Sequence, residues 1–311
     1  MTQNKETYLA FGAGCAMSII TGAQYIFLKP ALEKFEGAFM LLLAIRFIAA
    51  LLPMLFFLKG FKAKVLINKR ILLICLVQPV ANVIAQTYAA SAADAALIAY
   101  LTALCPLTMY LAGRIFMKET APPQFFIFMA VSVAGAILSA SAKGQVERIS
   151  IAGVLWIISS LVFRGLYSVQ AKKGQAFFSP AEITISQMFW GAVVFGVASI
   201  LAGEIFDAPR LLRSLGIWDI AAIGYLSLGS LALAYGFNNF VLGNLSVTMS
   251  GMLNNLTFVS TLASGFVLGE PIGWQGLAGS ALIVFGVYFS ARSKADYEPK
   301  ISDAARKKLL G

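Results

Sequence analysis

The chain repeats itself. Residues 244–292 lie over residues 93–141 at a fixed spacing of 151 positions, with no gap. Leu111, Ala112, Glu119, Gln124, Ala130, Val133, Gly135, Ser139 and Ala140 then meet Leu262, Ala263, Glu270, Gln275, Ala281, Val284, Gly286, Ser290 and Ala291. In both copies two long apolar runs flank a short polar turn. Self-similarity at a fixed period dictates architecture before any local preference does. The chain is therefore read as one unit used twice.

Composition says what medium the unit occupies. Of 311 residues, 59% are hydrophobic and 12% charged, with mean hydropathy +0.81. Soluble domains carry about a quarter charged residues. Lipid leaves backbone polar groups no partner but each other, which favours helices. The fold class expected is an all-α integral membrane protein. Ten apolar runs, each about twenty residues and able to cross ~30 Å of hydrocarbon, fall near 8–28, 36–58, 70–90, 94–117, 123–141, 151–171, 181–203, 217–238, 246–268 and 273–291. The first lacks a small-residue cleavage site and is kept as a span. Five spans per half is odd, so the second half enters the membrane inverted, an arrangement of transporters whose site lies between the repeats. The expected division is 1–142, 143–292 and a polar tail, 293–311.

The net charge is +10, from 24 basic and 14 acidic residues. The basic residues sit in short segments between spans, where they set orientation rather than bind nucleic acid. With the N-terminus inside, 16 fall on the inner side and 6 on the outer, leaving Arg46 and Arg164 within spans. Both termini are thus expected in the cytoplasm, the membrane being the bacterial inner one. The chain has no histidine, and Cys15, Cys75 and Cys105 lie singly in apolar runs. That excludes histidine catalysis and ligation, and no cysteine-pair metal or redox motif is present. No Walker A loop occurs either. No cofactor and no enzymatic activity are expected.

Polar residues inside spans carry the functional reading. Gln78, Asn82 and Gln86 recur every four residues, on one helical face. Ser250, Asn254, Thr257 and Thr261 do so in the ninth span, and Gly14, Ser18, Thr21 and Tyr25, beside Gln24, in the first. Such faces must turn inward. They either line a cavity, where the third and ninth would face each other, or hold helices together at ~0.6 kcal/mol per bond. Tyr88, Tyr100, Trp156 and Tyr235 offer a ring, with a hydroxyl or indole N–H, to an amphipathic solute or simply pack.

Arg164 is the sharpest residue. It lies about two turns from the inner end of the sixth span, where a guanidinium costs ~2.5–3.5 kcal/mol unless it meets water, a partner or an anion. It either snorkels to the interface or grips a carboxylate or phosphate bidentately. Arg46, nearer mid-span, reads as structural, bound to backbone carbonyls at a broken helix end or to an acid. The acids avoid mid-membrane. Asp94 suits a helix N-cap, and Glu119 and Glu270 read as structural, each at the positive start of the next helix.

Residues 85–119 (AQTYAASAADAALIAYLTALCPLTMYLAGRIFMKE), followed by a Pro-led helix ending GAILSAS, resemble the EamA-type repeat of the drug/metabolite transporter superfamily. Residues 231–270, with Pro271 and the 276–286 helix, are similar, as is the Arg46-Phe47 pair. One departure stands out: Pro106 meets Thr257, where the family repeats the proline, so the two halves are not expected to bend alike. The resemblance implies ten helices around a central cavity lined by spans 1, 3, 4, 6, 8 and 9, with 5 and 10 peripheral, and transport of small metabolites, often export. The function expected is a secondary transporter or facilitator, amino acids and related carboxylates first, with nucleotide-like or phosphorylated solutes the alternative. A non-transporting lipid-binding or scaffold protein is the reading from another class. The partners expected are a small-molecule substrate and membrane lipid, not nucleic acid, in a monomer or weak oligomer with its coupling ion unassigned.

Overall fold

The computed structural model describes residues 2–54, 61–93, 95–141, 150–269 and 273–293, and all regular secondary structure among them is helical. Besides short helical pieces at Ala63–Val65, Glu204–Asp207 and Ala208–Arg213, ten longer elements follow in order: α1 (Thr2–Lys34), α2 (Phe39–Met54), α3 (69–92), α4 (95–117), α5 (Pro123–Ser141), α6 (Ile151–Gly174), α7 (Pro180–Leu201), α8 (Ile217–Asn244), α9 (247–267) and α10 (Trp274–Arg292). Eight are long and apolar enough to cross a membrane, and α2 is a shorter apolar helix. The remaining one, α9, joins Val247–Asn254 to Leu256–Val267 at Asn255.

Several helices outrun their apolar stretches, α1 at both ends and α8 to Asn244. Hydropathy marks the hydrocarbon; a helix stops where its capping signals lie. Ser150, Ser179 and Ser246 each accept from a backbone N–H three residues on, starting α6, α7 and α9. At α7 the Glu182 carboxylate reaches back to the Ser179 N–H at 2.8 Å, closing a capping box.

The repeat is legible in backbone detail. Both third helices contain a π-helical stretch, Leu76–Ala81 and Tyr225–Leu233, which overlap at the 151 spacing. Both fourth helices break at the same place. Leu104 N–H bonds to the Leu101 carbonyl and Asn255 N–H to Met252, while Leu107 bonds to Leu104 and Phe258 to Asn255, at 3.0 to 3.1 Å. These tight three-residue bonds interrupt the α pattern. The proline asymmetry therefore does not unbalance the halves: α9 breaks where α4 does, with Thr257 in place of Pro106. Both helices also end in a left-handed residue, Lys118 (φ 58°) and Gly269 (φ 80°).

Packing obeys the same exchange. α3 packs on α6 and α8 on α1; α4 packs on α6 and α9 on α1; α2 pairs with α7, α4 with α9, and α5 with α10. In the α5–α10 seam a Cβ built on Gly135 would lie 2.6 Å from the Gly279 carbonyl oxygen, and one on Gly286 2.6 Å from that of Phe128. At a spacing of 151 these are one contact made twice. Only residues without side chains let two helices approach so closely. Six helices, α1, α3, α4, α6, α8 and α9, thus pack together between the α2–α7 and α5–α10 pairs, with large apolar side chains such as Leu9, Ile48, Val162 and Val197 on the outside.

Candidate functional site

The polar interior is built on α6. Ser160, Arg164 and Tyr167 follow at spacings of four and three, which sets them on one face. Each is tied to a different helix. Asn82 of α3 donates through Nδ2 to the Ser160 carbonyl at 2.7 Å, and Gln86 Nε2 donates to Asn82 Oδ1 at 2.6 Å. Arg164 Nη2 donates to Asn254 Oδ1 of α9 at 2.6 Å. Tyr167 donates to Asn239 Oδ1 of α8 at 2.7 Å, and Asn238 Nδ2 donates back to the Tyr167 hydroxyl at 3.2 Å. The α3 and α9 stripes thus converge on α6 rather than on each other.

Arg164 is half-buried, and its partner is a neutral amide. Ion pairs among the described residues join Lys34 to Asp219 and Arg210 to Asp207, at 3.5 Å each, so no described carboxylate faces Arg164. An amide orients a guanidinium but leaves its charge uncompensated, which a low-dielectric interior penalises. Asn254 is held in turn by its Nδ2 donating to the Ser250 carbonyl at 3.0 Å. It is the last residue before the α9 break.

Gln78 behaves differently from Asn82 and Gln86. Its backbone leaves helical geometry (φ −141°, ψ 119°) inside the π stretch, and its Nε2 donates to the Tyr235 hydroxyl of α8 at 2.9 Å. Its carbonyl accepts from Gln187 Nε2 of α7 at 3.2 Å, and Gln187 Oε1 accepts from Asn239 at 2.9 Å. Gln187 and Asn239 were missed by sequence reasoning, although an amide midway along the apolar α7 is the same kind of signal as Gln78. Arg46 is buried, donating through Nη2 to the Leu226 carbonyl in the α8 π stretch at 3.3 Å.

The remaining candidates divide. Ser18 is fully buried and donates to the Leu253 carbonyl at 2.7 Å, within the α1–α9 seam where Gly14 and Gly22 also lie against α9. Tyr88 and Trp156 stack at 4.9 Å and are 50% and 37% exposed. Thr21 and Tyr100 are half-buried, and Pro106 is buried at the start of the second part of α4. Asp94, Glu270 and the Tyr25 side chain lie outside what is described.

Glu119 does not serve the helix that follows it in sequence. Its buried carboxylate accepts from the Val247 and Thr248 amides at 2.8 and 3.1 Å and from the Thr248 hydroxyl at 2.6 Å, so it caps α9. On the same turn Lys172 Nζ donates to the Leu242 and Leu245 carbonyls at 3.0 and 2.6 Å, capping α8. Each charge meets the helix end of opposite polarity. This clasp joins the end of α6 to α8 and α9; α1, the counterpart of α6, packs on neither α3 nor α4 to a comparable extent among the described residues. An apolar groove of about 250 Å³, lined by Met54, Thr184, Ile185, Leu233 and Phe237 among others, opens between α2, α7 and α8, away from Arg164.

The model of the EamA-like transporter family matches the chain twice, over residues 9–141 and 151–292. The chain belongs to the EamA-like transporter family. It is a multi-pass membrane transporter of that type. It is 27% identical over 295 residues to an uncharacterized transporter, YcxC, of Bacillus subtilis, covering 92% of this chain and 94% of the relative. It is 23% identical over 196 residues to an uncharacterized transporter of Archaeoglobus fulgidus, covering 61% and 66%. A crystal structure 16% identical in sequence superposes with a TM-score of 0.68, covering 95% of this chain and 99% of the other, and so shares its fold.

Proposed function

We propose that this EamA-family chain is a secondary transporter or facilitator of small polar metabolites bearing an acidic group, amino acids and related carboxylates first, working by alternating access. The observation that carries the reading is Arg164, a permanent charge midway along α6, aimed by Asn254 at a helix break and faced by no described carboxylate. A planar guanidinium so placed suits a carboxylate. Phosphorylated solutes are the second reading, favoured by the same fork. The two halves, 1–142 and 143–292, form the inverted repeats, with the 293–311 tail and both termini in the cytoplasm of a bacterial cell. The α8–α9 clasp then closes the cytoplasmic side. The working unit is a monomer or weak oligomer in lipid.

Uptake into proteoliposomes tests this, with a panel of amino acids, organic anions and nucleosides under imposed ion gradients. Arg164→Ala abolishes uptake of the acidic or zwitterionic substrate, and Arg164→Lys, which keeps charge but loses the fork, retains part of it. Unchanged affinity in a folded Arg164→Ala protein refutes the reading. Cysteine labelling from each side checks the topology; a C-terminal tag reached only from outside refutes it.

A further inference from the structure

The groove between α2, α7 and α8 has no part in the reading of Arg164. It holds about 250 Å³; Ala232 and Gly236 leave the space, and Met54, Ile185, Leu233 and Phe237 wall it. A Cβ built on Gly236 would meet nothing within 4 Å. Thr184 is the polar side chain of the lining, and its hydroxyl is spent, donating to the Pro180 carbonyl at 2.8 Å and accepting from Asn239 Nδ2 at 2.9 Å. Leu233 is 53% exposed, and α2 and α7 flank the bundle, so the groove opens where a membrane chain meets hydrocarbon. At 1.5 Å per residue, Leu233 lies about 16 Å from the Asn244 end of α8, so the groove spans roughly one leaflet of a ~30 Å core. At the 151 spacing Gly236 answers to Ala85, which is fully buried. The opening is not repeated there.

The end of the bundle beside this groove is basic. Residues 61–70 and 172–182 carry Lys62, Lys64, Lys69, Arg70, Lys172 and Lys173 against a single acid, Glu182. The Arg70 guanidinium lies 3.7 Å over the Phe177 ring, in the turn that leads into the groove residue Ala181. The Glu182 carboxylate is spent on the Ser179 N–H and hydroxyl, at 2.8 and 3.0 Å. Lys172 is held by two helix-end carbonyls. The other five cations are exposed, and neither ion pair among the described residues includes them. A dry trough below a rim short of anions suits a molecule with a hydrocarbon tail and a negative head. A helix, ~10–12 Å across, is too wide to enter it. We infer that the groove binds an anionic phospholipid of the surrounding membrane, one acyl chain lying against Gly236 and the phosphate meeting the cations of the α3 and α6–α7 ends.

Native mass spectrometry of the purified full chain tests this with phosphatidylglycerol and phosphatidylcholine of identical tails. The unaltered protein retains phosphatidylglycerol at least about fivefold more tightly, the contribution of one lysine or arginine at an anionic surface. Gly236→Leu fills the trough and weakens both lipids about tenfold, the loss of about two buried methylenes. Lys62→Gln, Lys64→Gln, Lys69→Gln and Lys173→Gln, combined, bring phosphatidylglycerol to the phosphatidylcholine level. In bilayers, phosphatidylglycerol with a diazirine in its tail cross-links to Met54, Ile185, Leu233 or Phe237 of the unaltered protein. Equal retention of the two lipids, unchanged retention in folded Gly236→Leu, or cross-links that avoid the groove overturns the inference. A dimer that Gly236→Leu disrupts also overturns it, giving the groove to a second copy of the chain. The cross-linking needs no variant and decides the matter even where Gly236→Leu does not fold. None of these readouts involves transport, so failure here leaves the reading of Arg164 untouched.

Discussion

Set side by side, the two halves agree in backbone and disagree in chemistry. Their third helices carry overlapping π stretches, their fourth helices break at Leu104 and Asn255, and their fifth helices meet through equivalent glycine contacts. The polar residues are not repeated. At the 151 spacing Asn254 answers to Ala103, Asn82 to Leu233, Gln78 to Gly229 and Tyr235 to Ile84. Arg46 has no basic counterpart in α7, and α1 holds no arginine to match Arg164. The difference teaches which constraints are architectural. Helix breaks and close seams are duplicated because the fold needs them in both halves; a recognition surface of the kind proposed for Arg164 is needed once.

That division is open to attack, beginning with the largest effect. Arg164→Ala costs substrate binding about 2–5 kcal/mol while leaving thermal unfolding in detergent nearly unchanged. A matching loss of stability assigns Arg164 to the scaffold. Next come the seam glycines. Gly135→Ala and Gly286→Ala each push a Cβ onto a backbone oxygen at 2.6 Å, and both destabilise the fold by similar amounts of about 1–3 kcal/mol. Gly12 and Gly196 face open space, and alanine there is tolerated. Unequal effects at 135 and 286 break the claim of a shared seam.

Glu119→Gln sharpens the comparison at the α9 cap. A neutral amide cannot reproduce acceptance from two backbone amides and a hydroxyl, and hydrogen bonds to a charge are worth about 1.5–3 kcal/mol. Stability falls by about that much, and single cysteines introduced near the α8–α9 turn become more reactive from the side the clasp closes. The smallest effect concerns the left-handed ends of α4 and α9. Lys118→Gly stabilises by up to about 1 kcal/mol, because glycine alone adopts that conformation without steric cost. Gly269→Lys destabilises by a similar amount, read in the same unfolding assay.

Much of this architecture was written in the sequence, because lipid tolerates so few backbone solutions. Ten apolar runs and one echo at a spacing of 151 residues were enough to place the helices. The site was legible in its membership more than in its connections. Gln78, Asn82 and Gln86 share a face only if the helix between them is α throughout. The π stretch resets the phase, which sends Gln78 to Tyr235 and Asn82 to Ser160. Glu119 precedes α5 in sequence, but its carboxylate is used by α9, 128 residues on. A contact of that kind has no local signature. Pro106 misled in the other direction, since Asn255 makes the same break without a proline.

The α5–α10 seam has a mechanical consequence. Where side chains mesh, one helix can creep along another by rotamer changes, each step cheap. Where Gly135 and Gly286 bring backbone against backbone, no rotamer exists to absorb a displacement, and sliding would drive carbonyl oxygens into one another. The seam therefore tolerates rotation about the line of contact and resists translation along it. If the halves move as alternating access requires, that movement is a swing about this seam rather than a shear across it.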